Sequence, residues 1–301
     1  KINRWRNNYQ EYAEENLHII DKNAELVPFK FNRMQRRVWQ LLLYLLLEGK
    51  PIRILCIKDR QIGFTTFISG FFYWLTTLFA NRNALITSHD IDSAAGIFGK
   101  IKLFYKKSLP EARPLRKISN RRELYFANPD EEGDLGLESR IVIDTADSEE
   151  LGVSYTIQLA HLSEMAIWET MGLNIKKRLV ALYQAIPERA GTAIIIETTP
   201  RGEGYVSNMW ADKTNGYIKI FISSVAADEY RIELNPAEYF ELSDFDEHKY
   251  GNEVEEYFLY EEEVKQWYDF KDDEQGKQQL HHEVMCRLAW RRETIDKKCE
   301  G

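Results

Sequence analysis

Cysteine is scarce in this chain: Cys56, Cys286 and Cys299 are the only three in 301 residues. They are too few and too widely spaced for a disulfide framework or a thiolate metal site, and their reduced state fits a cytoplasm. Long apolar runs are also missing. The most apolar segment, residues 67–80, is too short to span a bilayer and carries Thr, Ser and Gly, so no membrane association is expected. No secretory signal, internal repeat or low-complexity tract is present. The chain starts at Lys1 and not Met, which suggests a piece of a longer protein. A surplus of positive charge is absent as well: the net charge is −8, which argues against passive coating of nucleic acid.

That charge is unevenly placed. Residues 221–301 hold 10 basic and 22 acidic side chains, whereas residues 1–220 hold 30 and 26. Two regions follow: a core over 1–225 with a helical N-terminal part, and an acidic lid or linker over 226–301. Residues 1–28 read as surface helix. Residues 33–48 read as a helix with Asn32 as N-cap and Gly49 past its end. Beyond it, apolar strands alternate with helices: strands at 54–57, 84–88, 124–127, 139–145, 155–162, 192–197 and 217–222, helices at 67–80, opened by Thr65 and Thr66, at 92–107 and at 174–185. This alternation predicts an α/β protein with a mainly parallel central sheet, whose ligands bind at the carboxyl ends of the strands.

The stretch around which the rest is arranged is residues 52–66, IRILCIKDRQIGFTT. It reads as buried strand, turn and helix start, the context of a phosphate-binding loop. Set against G-x-x-x-x-G-K-[ST], Lys58 stands at the first glycine, Phe64 at the lysine and Thr65 at the magnesium-binding hydroxyl. Backbone N–H groups over Gln61, Ile62, Gly63, Phe64, Thr65 and Thr66 can still nest an anion, with Lys58 or Arg60 as the cation. The plain alternative is a βα turn with a chance Gly-Phe-Thr.

Other strand ends carry compatible chemistry. Glu164 ends an apolar strand, where a water-activating carboxylate sits in the second phosphate-site motif; Ser163 takes the place of the usual metal-supporting Asp. Thr198 and Thr199 could sense a terminal phosphate. The amide of Gln35 could read an adenine edge. Each has a bland counterpart: a helix N-terminal acid for Glu164, a polar strand end for the threonines, an exposed helix residue for Gln35. His161 shows no partner in sequence and reads as structural. Residues 100–122 hold nine Lys or Arg and one acid, either a DNA grip or a solvated face.

Taken in order, KDRQIGFTT, AHLSEMAIWE and IIIETTPRG, with PFKFNRMQ before them and LAWRR after, resemble the ATPase domain of the large terminase subunit of tailed double-stranded DNA bacteriophages. The resemblance runs over roughly residues 28–292. It implies a P-loop NTPase of the ASCE, RecA-like type that uses ATP and Mg2+ to drive double-stranded DNA into a procapsid. Partners would be the portal protein and the small terminase subunit, with the chain in a homo-oligomeric ring in the host cell cytoplasm. Lys58 and Arg60 would neutralise phosphate charge, Thr65 would bind the metal with Ser163 behind it, Glu164 would orient water, and Thr198 and Thr199 would couple hydrolysis to movement. Arg140, at the start of its strand, is a candidate arginine finger acting on a neighbouring subunit, or else a surface ion pair. The family's nuclease domain is expected to be absent. Two other readings stay open: a P-loop helicase or translocase, and a catalytically inactive assembly module, favoured by Phe64 and Ser163.

Overall fold

Seven residues, Ile-Arg-Ile-Leu-Cys-Ile-Lys, form a strand buried along nearly its whole length, β3 (Ile52–Lys58). A strand apolar on both faces needs cover on both, so it belongs inside a parallel sheet and not at an edge. The computed structural model, which describes residues 1–130, 133, 135–148, 156–222, 233–238, 278 and 281–290, places it there. With β4 (Asn83–Ser88), β5 (Ile118–Ser119), β6 (Glu123–Phe126), β7 (Ser139–Thr145), β8 (Leu159–Ser163), β9 (Ala193–Thr198) and β10 (Ile218–Ile222) it forms an eight-stranded sheet. The order is β10-β3-β9-β8-β4-β7-β6-β5. The pairs β3–β9, β9–β8, β8–β4 and β4–β7 are parallel; β7–β6 and β6–β5 are antiparallel.

This order decides what meets at the carboxyl edge. The loop strand β3 and the strand β8 that ends at Ser163 are not neighbours, because β9 lies between them. Across this trio Leu55 pairs with Ile196 and Cys56 with Glu197 on one side, and Ser163 pairs with Glu197 on the other. The residues after β3, β8 and β9 therefore emerge side by side.

Helices cover the sheet. Those that matter to the site are α3 (Arg33–Leu47), α4 (Phe64–Leu78), α5 (Ile91–Lys107), α6 (Met165–Thr170) and α7 (Ile175–Ala185). α4 leaves the loop directly, and all but Thr65 and Thr66 of its residues are buried. α7 buries Ile175, Leu179 and Leu182, at the i, i+4, i+7 spacing of one helical face, in a cluster with Trp168, Ile194 and Ile196.

The N-terminal segment departs from its surface reading. α1 (Ile2–Asn7) and α2 (Tyr9–Asn16) are followed by a small hairpin of β1 (His18–Ile20) and β2 (Leu26–Pro28). Trp5, Tyr9 and Tyr12 are fully buried. The Tyr9 hydroxyl donates to the Phe67 carbonyl of α4 at 2.7 Å. Gly70 permits this approach, since a Cβ there would lie 2.4 Å from the Tyr9 hydroxyl. Mixed charge hid the pattern: the aromatics at 5, 9 and 12 recur at helical spacing among acids and arginines.

The chain divides into two compact units, Lys1–Phe221 and Ile222–Gly301. In the second, the described residues form a short turn at Pro236–Glu238 and a helix over 281–290. The lid or linker reading of 226–301 falls mostly outside the described residues.

Candidate active site

The loop after β3 is shaped by two left-handed residues, Gln61 with φ 56° and Gly63 with φ 78°. Gly63 is the N-cap of α4, and no side chain caps it. The first backbone N–H groups of a helix have no acceptor within it, so Phe64, Thr65 and Thr66 open α4 at an anion-favouring end. Glycine is required at 63 on two counts: the positive φ, and a Cβ that would stand 2.9 Å from Gln35 Nε2.

Gln35 and Asn32 hold the loop from behind. They form a capping box at the start of α3: the Gln35 N–H donates to Asn32 Oδ1 at 2.9 Å and the Asn32 N–H to Gln35 Oε1 at 3.0 Å. Their amide NH2 groups then reach the loop, Gln35 Nε2 to the Gly63 carbonyl at 3.0 Å and Asn32 Nδ2 to that of Ile62 at 3.4 Å. Gln35 is 3% exposed. Its observed contacts are those of a loop support.

Lys58 is buried, with its ammonium 3.4 Å from Glu164 Oε1 and 3.6 Å from Glu197 Oε2. Burial works against its charge, but the Glu197 and then the Glu164 carboxylates outweigh it and raise its pKa. Arg60 and Gln61 are exposed on the loop, while Ile62 and Phe64 are buried and serve packing. Lys100, an exposed residue of α5, donates to the Thr66 hydroxyl at 3.1 Å, which brings one member of the basic window to the loop.

Glu164 also has a left-handed backbone, φ 55° and ψ 43°, and begins α6. One carboxylate oxygen faces Lys58. The other accepts the Thr199 backbone N–H at 3.3 Å and the Thr199 hydroxyl at 3.2 Å. Thr198 accepts the Ala166 N–H at 3.1 Å, fixing the first turn of α6. A cavity of about 350 Å³ opens alongside, lined by Thr198, Thr199, Arg201, Glu169 and Trp210 among others.

Sequence reasoning missed the centre of this arrangement, Glu197. It has no exposed surface, and its Oε1 accepts from the Thr65 hydroxyl at 2.7 Å, the Ser163 hydroxyl at 3.0 Å and His161 Nε2 at 3.0 Å. Burial raises a carboxyl pKa, but the His161 hydrogen bond and charge, then Lys58 and Thr65, bring this one down to about 2. An ionised carboxylate only accepts, so His161 carries a proton on Nε2. His161 thus has a partner after all. The signal lay in IIIETT: a charge set inside a strand that is otherwise apolar must be paired. Ser163 gives its hydroxyl proton to Glu197.

Arg140 lies elsewhere. It pairs in register with Asn83, at the amino ends of the strands, and so at the edge opposite the loop. Its guanidinium is 3.2 Å from the Glu123 carboxylate and lies over the Tyr125 ring at 4.3 Å. The structure does not bring it to the loop, and these are the contacts of an in-chain ion pair. In the second unit, His282 and Cys286, four apart on the 281–290 helix, come with Glu233 within 4.8 Å of one another. Three donors, one of them exposed, fall short of the four of a structural zinc site.

The fold is of the P-loop, RecA-like kind: mostly parallel strands flanked by helices, with β9 between the loop strand β3 and β8. Its solved likenesses include large terminase ATPase domains. The HK97 bacteriophage large terminase matches with a TM-score of 0.53 and 14% identity over 82% of this chain, which spans about half (51%) of that protein. The Thermus phage P74-26 large terminase ATPase domain matches with a TM-score of 0.47 and 15% identity, covering 79% of this chain and 91% of that one. A DEAD box protein from Methanococcus jannaschii gives 0.42 and 15%, covering 76% and 57%. No protein-family profile matches the sequence. No curated protein matches it either.

Proposed function

We propose that this chain is an ATP hydrolase, the motor domain of a viral DNA-packaging terminase that uses ATP to move double-stranded DNA into a procapsid. The single observation that carries this reading is the convergence of Lys58, Thr65, Glu164 and Thr199 at one sheet edge, beside a helix N-terminus left without a side-chain cap. The residues present fit an ATP–Mg2+ complex. The Thr65 hydroxyl gives its proton to Glu197 and keeps its lone pairs for a cation. Glu197 Oε2 is buried with no hydrogen-bond donor among the described residues.

In this reading the N–H groups of residues 61–66 and the Lys58 ammonium bind phosphate oxygens, with Arg60 at the rim. Thr65 would hold the Mg2+, an ion that supplies neutralising charge between the phosphates. Glu164 orients and deprotonates the attacking water. A phosphate drawing Lys58 toward itself would release Glu164 Oε1 for that task. Thr199 holds the other oxygen of Glu164, and Thr198 ties the same strand end to α6, so a change at the phosphate is felt by β9 and α6 together. The exposed lysines and arginines of residues 100–122 offer a phosphate-backbone grip for DNA.

The proposal extends to the assembled machine: a homo-oligomeric ring on the portal protein, supplied with DNA by the small terminase subunit, in the host cell cytoplasm, with residues 226–301 as lid and linker. Phe64 and Ser163 favour a second reading, an inactive assembly module that keeps the nucleotide fold. Steady-state phosphate release by the purified chain, with and without linear double-stranded DNA, separates the two. Turnover abolished by Glu164→Gln is expected. Absence of turnover in both conditions, with nucleotide bound, supports the inactive module.

A further inference from the structure

We infer that Glu197 is the carboxylate that sets Thr65 for a divalent cation, a task relocated from the end of β8, where Ser163 stands, to the neighbouring strand β9. The inference deepens the nucleotide-site reading above and rests on it.

The argument starts from register. Ser163 and Glu197 are Cα partners across the parallel pair β8–β9. A carboxylate moved from one to the other shifts by a single strand at the same level of the sheet. The longer reach of Glu makes up that distance, since its Oε1 accepts from both the Ser163 and the Thr65 hydroxyls, at 3.0 and 2.7 Å. The Thr65 hydroxyl has only one proton to give. With that hydrogen bond donated to the Glu197 carboxylate, the lone pairs of the Thr65 hydroxyl are oriented away from it and kept as a ligand for a cation. Ser163 has likewise given its proton to the same oxygen, so it acts as a brace for Glu197.

The two oxygens are unequally supplied. Oε1 takes three hydrogen bonds, from Thr65, Ser163 and His161, while Oε2 takes none among the described residues and faces Lys58 at 3.6 Å. Lys58 is thus the counter-cation of Oε2, while the hydrogen-bond donors, the Thr65 hydroxyl among them, converge on Oε1. The asymmetry points to a carboxylate whose Oε1 serves to orient the Thr65 hydroxyl. Glu197 would then be a positioning residue: it acts through Thr65 and does not itself touch the reacting atoms.

The test is the Mg2+ dependence of nucleotide binding by the full chain, read with a fluorescent ADP analogue titrated in EDTA and in rising Mg2+, alongside a melting curve. Wild-type protein is expected to bind more tightly as Mg2+ rises. Glu197→Gln should raise the Mg2+ concentration needed for half of that effect about 10–100-fold, the usual cost of losing a group that orients a metal ligand. Binding in EDTA should change little. The double variant Ser163→Asp/Glu197→Gln, which returns a carboxylate to β8, should recover most of the Mg2+ response; a merely structural Glu197 predicts no such rescue. If Glu197→Gln does not fold, Glu197→Asp keeps the charge but withdraws it from Thr65, and the same loss is expected. A folded Glu197 variant with the wild-type Mg2+ response overturns the inference and leaves the nucleotide site standing. Failure of the wild-type chain to bind the analogue under any condition removes the nucleotide-site reading, and this inference with it.

Discussion

Thr199 gives both its backbone N–H and its hydroxyl to a single oxygen of Glu164, at 3.3 and 3.2 Å. The strand that follows one motif thereby holds the carboxylate supplied by another. Glu164→Gln is nearly isosteric and should keep nucleotide binding while lowering turnover by roughly 10²–10⁴. Thr199→Val removes only the hydroxyl donor. A hydrogen bond to a charged group is worth about 1.5–3 kcal/mol, so turnover should fall roughly 10–150-fold, with affinity unchanged. Single-turnover kinetics beside equilibrium binding would distinguish the two; equal turnover in Thr199→Val and wild type would remove Thr199 from the machinery.

Lys58 is a different case. From its place in the sequence it looks removable without harm to the fold, but its ammonium is the cation of the buried Glu197. Lys58→Ala should therefore lose hydrolysis and also stability, by about 3–5 kcal/mol, as expected when one member of a buried ion pair is deleted. Lys58→Arg, which keeps the charge, should fold better than Lys58→Ala yet hydrolyse poorly. Phe64→Ala should cost about 3–5 kcal/mol in packing with comparatively little effect on the chemistry of what remains folded. Melting temperature and turnover measured on the same samples check all three, and an active, stable Lys58→Ala protein would reject the assignment.

How much of this was legible beforehand varies with the kind of signal. The main strands and helices were, because period and punctuation are local: β7 has the bounds its apolar alternation predicts, and α7 stops before Pro187. The loop was readable through Gly63 and Thr65. Glu197 was not, since its role exists only once β9 is inserted between β3 and β8, and strand order is not written in any single segment. Gln35 was legible as a residue of interest, but its partner was not; nothing in one helix says that the Gly63 carbonyl will be 3.0 Å away. The burial of Trp5 and Tyr9 was obscured by the polar and charged residues around them, Arg4, Arg6, Asn7, Asn8 and Glu11.

Asp90 offers a test of local stability away from the loop. It caps α5, accepting the Ser93 N–H at 2.7 Å and the Ser93 hydroxyl at 2.9 Å. The Ser93 backbone hydrogen bond is the main reason its pKa is lowered. A carboxyl with a lowered folded pKa adds stability that is present above its unfolded value, 3.8, and is lost as pH falls through the folded one. Asp90→Ala should cost about 0.5–2 kcal/mol at neutral pH and less in acid. Denaturant midpoints at pH 7 and pH 3 would show the gap between variant and wild type narrowing; a constant gap would contradict the cap.

The basic window makes a prediction of another sort. Lys106 and Lys107 end α5 and are exposed. If they neutralise DNA phosphates, reversing both to Glu should weaken double-stranded DNA binding. Its log–log salt dependence should flatten by about 0.9 for each phosphate no longer neutralised. Turnover without DNA should be unaffected. A salt slope equal to wild type would assign this end of α5 to solvent.

Among the described residues only five non-glycine positions have a positive φ, and two of them, Gln61 and Glu164, stand in the site. A left-handed backbone at such a residue costs of order 1–3 kcal/mol, and glycine would relieve it. Gln61→Gly should therefore melt higher than the natural chain, whereas at Glu164 the relief is offset by the loss of the Lys58 ion pair and of the two hydrogen bonds from Thr199. Selection for heat resistance alone, by consensus design or by a folding reporter in cells, would therefore drift toward glycine at position 61 and loosen the turn that shapes the loop. A thermostable variant of this protein has to gain its margin elsewhere, on the far side of the sheet or in the aromatic packing around Tyr9, and leave those two uncomfortable residues as they are.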